Sequence, residues 1–340
     1  MGRLTGGNRA VTRVGALVAA LLVVVATVAA GFALGVLGTP SVVGVSNHFG
    51  AVTAETTTIE TDVVVNNPNP VGGRVGDVSI AYAVDINDVR MATGRKDDIT
   101  IGRGNSTVGL STRMRNERIP AWWVTHLRNG EHSELVVHAT VTSGTLGRSV
   151  EAPKIRKDID TDIASSFNTT ETRPIEADRG PLVQDPVLSV EETSGWWSDV
   201  TREETTVAMR FRVHNPKPYP IPLQAVRYDV DMNGVDVGSG GTDRSYVLPP
   251  GGTRTVAAEL TLENDRLDEW WVSHLRRNQE TELALGLSLV VDLSNVPGGG
   301  PTVALPVDTI EHTFETDVFG NKGTYPTGSS GVPGNTTGAG

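Results

Sequence analysis

Cysteine is absent from the 340 residues, so there is no disulfide framework, no thiolate nucleophile and no cysteine-based zinc site. A lipid anchor on an N-terminal cysteine is excluded for the same reason. Lysine is scarce: only Lys96, Lys154, Lys157, Lys217 and Lys322 carry it, and the other basic residues are arginine. The formal net charge is −11, which argues against a nucleic-acid partner, because phosphate binding needs clustered Lys and Arg. Acidic excess with little lysine reads as adaptation to high salt. At 1 M salt, charge repulsion is screened within about 3 Å. Drift toward arginine codons is the alternative. Also missing are a P-loop, a dinucleotide-binding glycine motif, G-x-S-x-G and HExxH.

Charge is absent altogether from Val14 to Leu37. As a helix this run spans roughly 36 Å at about 1.5 Å per residue, enough to cross a hydrocarbon core of about 30 Å. Arg3, Arg9 and Arg13 precede it, and no Lys or Arg follows until Arg74. The positive-inside rule then places residues 1–13 in the cytoplasm, a single transmembrane helix at 14–37, and the remainder outside the cell membrane. A cleaved signal peptide, with small residues at Val28-Ala29-Ala30, is the rival reading. The apolar run continues past that site, which favours a retained anchor. Candidate N-glycosylation sites on the outer side are Asn105, Asn168 and Asn335, each two residues before a threonine.

The chain repeats itself. VVVNNPNP at 63–70 matches FRVHNPKP at 211–218, and IPAWWVTHLRNGE at 119–131 matches LDEWWVSHLRRNQ at 267–279, both at an offset of 148. Between them, AYAVDINDVRMATG at 81–94 matches RYDVDMNGVDVGSG at 227–240. This is duplication of a whole domain. The boundaries predicted are 40–163 and 186–318, with a polar linker at 164–185 and a disordered Gly, Ser, Thr and Pro tail at 319–340. Two domains joined by such a linker are expected to close separate cores.

Period-two patterns predict strands at 57–65, Val78–Ile86, Ile99–Ile101, Ser106–Met114, Glu134–Thr142 and Ile159–Ile163. Asn-Pro, Asn-Gly and Pro-Gly pairs separate the strands. Ile119, Trp122, Trp123, His126 and Leu127 follow helical spacing, as do Leu267, Trp270, Trp271, His274 and Leu275. The fold class expected is all-β: two tandem antiparallel β-sandwiches of the immunoglobulin or fibronectin III kind, each with one short amphipathic helix. Asn67-Pro68 and Asn215-Pro216 are expected to end a strand in a fixed bend, because proline restricts the residue before it and Asn bonds its own backbone.

Those residues resemble a known family. A strand ending in NPNP or NPKP, a Y-x-V-x-x-N-x-V-x-x-x-x-G segment beginning at Tyr82 and Tyr228, threonine-rich strands and a late helix are similar to the type 2 late-embryogenesis-abundant proteins. Their module is also called the WHy domain, for water stress and hypersensitive response. The resemblance covers about 40 to 318. It implies a seven-stranded β-sandwich with a helix, an association with desiccation and osmotic stress, and no enzymatic activity.

No catalytic set emerges from the residues. His126 and His274 lack an orienting carboxylate and a nucleophile nearby in sequence, and read as packed, hydrogen-bonded core histidines. Asp158-x-Asp160-x-Asp162 lacks the glycine and closing glutamate of a calcium loop, and reads as the wet face of a strand. No metal and no cofactor is expected. The helix tryptophans 122, 123, 270 and 271 read as core, with Trp123 and Trp271 each buried against the sheets of its own domain. Trp196-Trp197 is the candidate for surface binding. Two functions follow: a membrane-anchored, non-enzymatic stress protein, or a module that binds a lipid, another apolar ligand or an envelope component at the outer membrane surface.

Overall fold

The structure is a computed structural model. It describes residues 41–68, 73–74, 78–143, 148–151, 154–176, 186–242, 244–292, 294, 301–316 and 318–319. The expected anchor at 14–37, Asn335 and the tail after Phe319 lie outside these residues. No helix among the described residues is long and apolar enough to cross a membrane.

The described chain is mostly strand, with two short α-helices and several antiparallel sheets. The first repeat contains β1 (Ser41–Val52), β2 (Thr56–Asn67), β3 (Gly73–Arg74), β4 (Val78–Ile86), β5 (Val89–Lys96), β6 (Thr100–Ile101) and β7 (Gly104–Arg115). It continues through α1 (Ile119–Arg128), β8 (His132–Ser143), β9 (Arg148–Glu151) and β10 (Ile155–Asp160). The second contains β11 (Arg173–Ile175), β12 (Leu188–Val200), β13 (Glu204–His214), β14 (Ile221–Met232), β15 (Val235–Thr242), β16 (Tyr246–Leu248) and β17 (Thr253–Glu263). Then come α2 (Leu267–Arg276), β18 (Glu280–Val291) and β19 (Val303–Glu315).

In the second repeat, one sheet runs β11-β12-β13-β17 and another β15-β14-β18-β19, with β16 beside β14. The first repeat has the same neighbours, β1-β2-β7 and β5-β4-β8-β10. There the two halves join through Ala92↔Met114 and Thr93↔Arg113 into one continuous sheet. Alternation explains the packing. Thr205, Val207, Met209, Phe211 and Val213 of β13 turn inward while Arg210 and Arg212 turn out.

The motif residues have local causes. Asn87 and Asp88 (φ 47° and 65°) turn β4 into β5, and Asn233-Gly234 (φ 59° and 84°) turn β14 into β15. The Asn87 side chain then takes the Glu134 N–H and donates to Ser133 Oγ, pinning the start of β8. Tyr82 and Tyr228 cross over the glycines directly opposite, Gly94 and Gly240. A Cβ on either glycine would strike the tyrosine ring. The space admits the hydroxyls to Thr112 Oγ1 (2.6 Å) and to the Thr261 N–H (2.7 Å).

Three expectations change. The last strand of the first repeat ends at Asp160 rather than Ile163, because Glu131 captures the next groups of the chain. The segment 164–185 begins with a 3-10 turn, Ala164–Phe167, and includes β11, which pairs with β12. The cores are also not separate. One cluster, including Val63, Val65, Ile80 and Tyr82, belongs to the first repeat. The larger cluster fills the second repeat and continues into Met91, Met114, Ile119, Trp123 and Leu127 of the first.

Candidate functional site

The chemistry-bearing residues converge where the two repeats meet, and the pattern there is reciprocal. Each helix begins after a buried asparagine, Asn116 or Asn264, both 0% exposed. Asn116 Nδ2 donates to the carbonyls of Thr53 and Ala54 and its Oδ1 accepts from Thr57 Oγ1 (2.8 Å). Asn264 binds Thr201, Arg202 and Thr205 in the same way. The hydroxyls of Thr57 and Thr205 are thereby fixed with a lone pair facing the other repeat.

The tryptophans complete the exchange. Trp123 Nε1 donates to Thr205 Oγ1 (3.1 Å), and Trp271 Nε1 donates to Thr57 Oγ1 (3.2 Å). Arg128 donates to the Val200 carbonyl and Arg276 to the Val52 carbonyl. Trp123 stands edge-on to Trp197 (5.8 Å) and Trp270 (6.4 Å), and Trp271 stands edge-on to Phe49 (6.3 Å). The indole N–H groups of Trp122 and Trp270 turn back to their own repeats, donating to Ser133 Oγ and Thr281 Oγ1. Burial of Trp123 matches expectation, but against the other repeat. Trp271 is half-buried at the junction rather than enclosed by its own sheets. Helical spacing places both residues of a pair toward protein and cannot distinguish which protein surface each meets.

His126 and His274 are fully buried. His126 Nδ1 lies 2.8 Å from Ser133 Oγ and Nε2 lies 2.8 Å from Thr161 Oγ1, whose hydroxyl donates to Glu131. Burial lowers the His126 pKa, keeping the ring neutral. This serine–histidine pair is no nucleophile: Ser133 is 0% exposed and its oxygen also accepts from Trp122 and Asn87. His274 repeats the arrangement with Thr281 and Thr316.

Glu131 is the asymmetric element, since Gln279 holds its place in the second repeat. Both sit at positive φ, 62° and 61°. The Glu131 carboxylate accepts from the Ile163 and Ala164 N–H groups, Thr161 Oγ1 and Trp197 Nε1. Burial pushes its pKa up, but these donors hold the carboxyl below the usual glutamate value. Sequence reasoning missed Thr57, Thr205, Asn116, Asn264 and Glu131. The first four recur at the same offset of 148 and were findable by it. Glu131 carried no such signal.

The other candidates are dispersed. Asn67 Nδ2 binds the Gly102 carbonyl, and Asn215 Nδ2 binds those of Tyr219 and Leu248, so both close loops at the ends of the repeats away from the junction. Pro68 and Pro216 are exposed beside them. Trp196 is 40% exposed, with the Arg210 guanidinium 4.7 Å above its ring, while Trp197 faces the junction. Asn105 and Asn168 are exposed, their Oδ1 atoms accepting from Asn66 and from the Gly195 N–H. Asp158, Asp160 and Asp162 are exposed around the buried Ile159. Among the described residues, no three His, Asp or Glu side chains converge as a metal site.

Parts of the chain are similar to known proteins. An uncharacterized protein of Methanocaldococcus jannaschii is 33% identical over 101 residues, which are 29% of this chain and 58% of that protein. The chain therefore spans little more than half of that relative. A crystal structure of an Archaeoglobus fulgidus protein aligns at 26% identity and TM-score 0.34, covering 38% of this chain and 98% of the other. A solution structure of an Arabidopsis thaliana protein aligns at 17% identity and TM-score 0.32, covering 46% and 97%. The family described as late embryogenesis abundant protein matches residues 62–156 and 210–309, more than half the chain. Spanning the buried strands and helix of each repeat, that match shows that the chain belongs to the late embryogenesis abundant family of type 2.

Proposed function

We propose that this is a non-enzymatic, stress-associated protein of the cell envelope. It would carry two WHy-like β-sandwiches of immunoglobulin or fibronectin III type outside the membrane, held by the N-terminal segment 14–37. The observation that carries the reading is the family match over both repeats. The sequence supplies the topology: three arginines before an uncharged run and none for a long stretch after it. The buried histidines support a structural role, since their ring nitrogens are engaged within the protein.

Cells lacking the chain should lose viability on drying or osmotic upshift, and the full chain should restore it. Protease added to intact cells should digest the repeats. Unchanged survival sinks the protective role, and protected repeats sink the orientation. The alternative, a carrier of lipid or another apolar ligand, requires tryptophans free to line a cleft. Trp123 and Trp270 instead pack on each other.

A further inference from the structure

The two repeats differ on one outer sheet face. In the second repeat, Trp196 of β12 lies opposite Ala208 of β13, and Ala208 opposite Glu259 of β17. The next row along the strands is Ser194, Arg210 and Ala257. Strand alternation turns these six outward, since Val207, Met209 and Leu260 between them are buried. The Arg210 guanidinium stands 4.7 Å above the Trp196 ring. Among the described residues, no carboxylate and no carbonyl takes its N–H groups. Arg212, two residues on, is paired with Glu191 and Glu192 instead. The first repeat carries other chemistry at these positions, 148 residues earlier. His48, Glu60 and Ser111 stand for Trp196, Ala208 and Glu259, and Asp62 stands for Arg210. There Glu60 accepts from Ser111 Oγ (2.9 Å). The sandwich itself therefore requires neither an exposed indole nor an arginine on this face.

Each group offers a different contact. An indole that is 40% exposed gives an apolar platform for the C–H face of a sugar ring. An arginine steadied by an aromatic face keeps its fork of N–H donors for a carboxylate, which it can grip with two parallel bonds. The exposed Glu259 carboxylate accepts hydroxyl groups from beyond Ala208. The short side chains of Ala208 and Ala257 keep the floor between them low. A ligand that uses all three groups needs a flat apolar ring face, a carboxylate and neighbouring hydroxyls, which is the chemistry of a uronic acid. A phospholipid headgroup has no such ring face. The site also lies on the second repeat, beyond the 12 residues of β1, on the order of 40 Å from Ser41 and the proposed anchor. One free arginine on a chain of net charge −11 is too little for nucleic acid.

We propose that Trp196 and Arg210 form a binding site for an acidic polysaccharide, with a uronate ring against the indole and its carboxylate on the guanidinium. That the polysaccharide belongs to the cell envelope rests on the function proposed above; the binding itself does not. The second repeat is then the half that grips, and the first repeat presents acid on the same face.

The test is calorimetric titration of the full-length protein, in detergent and dilute buffer, with an oligogalacturonate. A neutral dextran oligomer and vesicles of anionic phospholipid serve as the comparison probes. The parent protein should bind the oligogalacturonate and neither of the others. Trp196→Ala and Arg210→Gln should each weaken that binding about tenfold. Both side chains are exposed, so neither change should move the melting temperature by more than a degree or two. Arg212→Gln removes the same charge from an arginine already paired, and should leave the affinity within about twofold. Equal losses from Arg210→Gln and Arg212→Gln would assign the effect to overall charge and overturn the site. Dextran bound as tightly as oligogalacturonate would overturn the role of the carboxylate, and vesicles bound in its place would assign the face to a membrane. No binding by the parent, or binding indifferent to Trp196→Ala, would overturn the proposal outright. None of these readouts depends on where the chain resides or on survival under stress.

Discussion

At the scale of single residues, Glu131 concentrates the most interaction in the fewest atoms. Its four donors come from its own turn's surroundings and, through Trp197, from the other repeat. A carboxyl held below its ordinary value contributes stability that is complete above that value. The contribution is lost as pH falls through the lowered folded value. Glu131→Gln should therefore cost about 1–3 kcal/mol at neutral pH, the scale of charge-assisted hydrogen bonds. The deficit should shrink at acid pH, once the pH has fallen through the lowered folded value and the parent carboxyl itself takes up the proton. Urea melts of both proteins at the two pH values check this; a deficit independent of pH would assign the effect to shape instead of charge. His126 adds an acid-sensitive contribution of its own. Its lowered value means that stability declines as pH falls below the ordinary imidazole range, because the unfolded chain takes up the proton first.

At the scale of elements, the two helices are shared fasteners. Each starts on a buried asparagine of its own repeat and delivers one tryptophan to a threonine of the other. Trp123→Ala removes a ring that is 2% exposed and should cost about 3–5 kcal/mol. Because that ring belongs to the core of the second repeat as well, hydrogen exchange should speed up in β13 and in β7 together. Acceleration confined to the first repeat would show that the cores are energetically separate. The helices, the Asn-Gly turn at Asn233 and several strands of the first repeat were legible in the sequence, because periodicity and turn chemistry act within a dozen residues; the strand Val89–Lys96 after Asn87 was not. The shared core was not. Thr57 and Trp271 are 214 residues apart, and an apolar face says only that it will be covered. The loss of Ile163 from its expected strand has the same origin, a side chain reaching in from Glu131.

At the scale of the whole molecule, the meeting point sets the direction of everything else. β1 runs from Ser41, opposite Asn66, to Val52, whose carbonyl receives Arg276. At about 3.3 Å per residue, its 12 residues carry the chain on the order of 40 Å from the Asn-Pro corner to the junction. The corner at Asn215-Pro216 lies at the opposite pole, since the Val200 end of β12 faces the junction. The acid-rich surface of this body predicts a further property. With a net charge of −11, the folded protein should melt at higher temperature in molar KCl than in dilute buffer, as screening relieves self-repulsion. A thermal series across KCl concentrations checks it, and a flat or falling midpoint would leave the scarcity of lysine without a physical role. The reciprocal junction itself has a last consequence. Two identical partners held by such a contact would form a symmetric dimer, and dilution would separate them. Here both partners are one covalent chain, so the local concentration of each half around the other is set by the connecting segment 164–185 rather than by how much protein is present. The assembly therefore holds at a single copy per cell as well as at thousands.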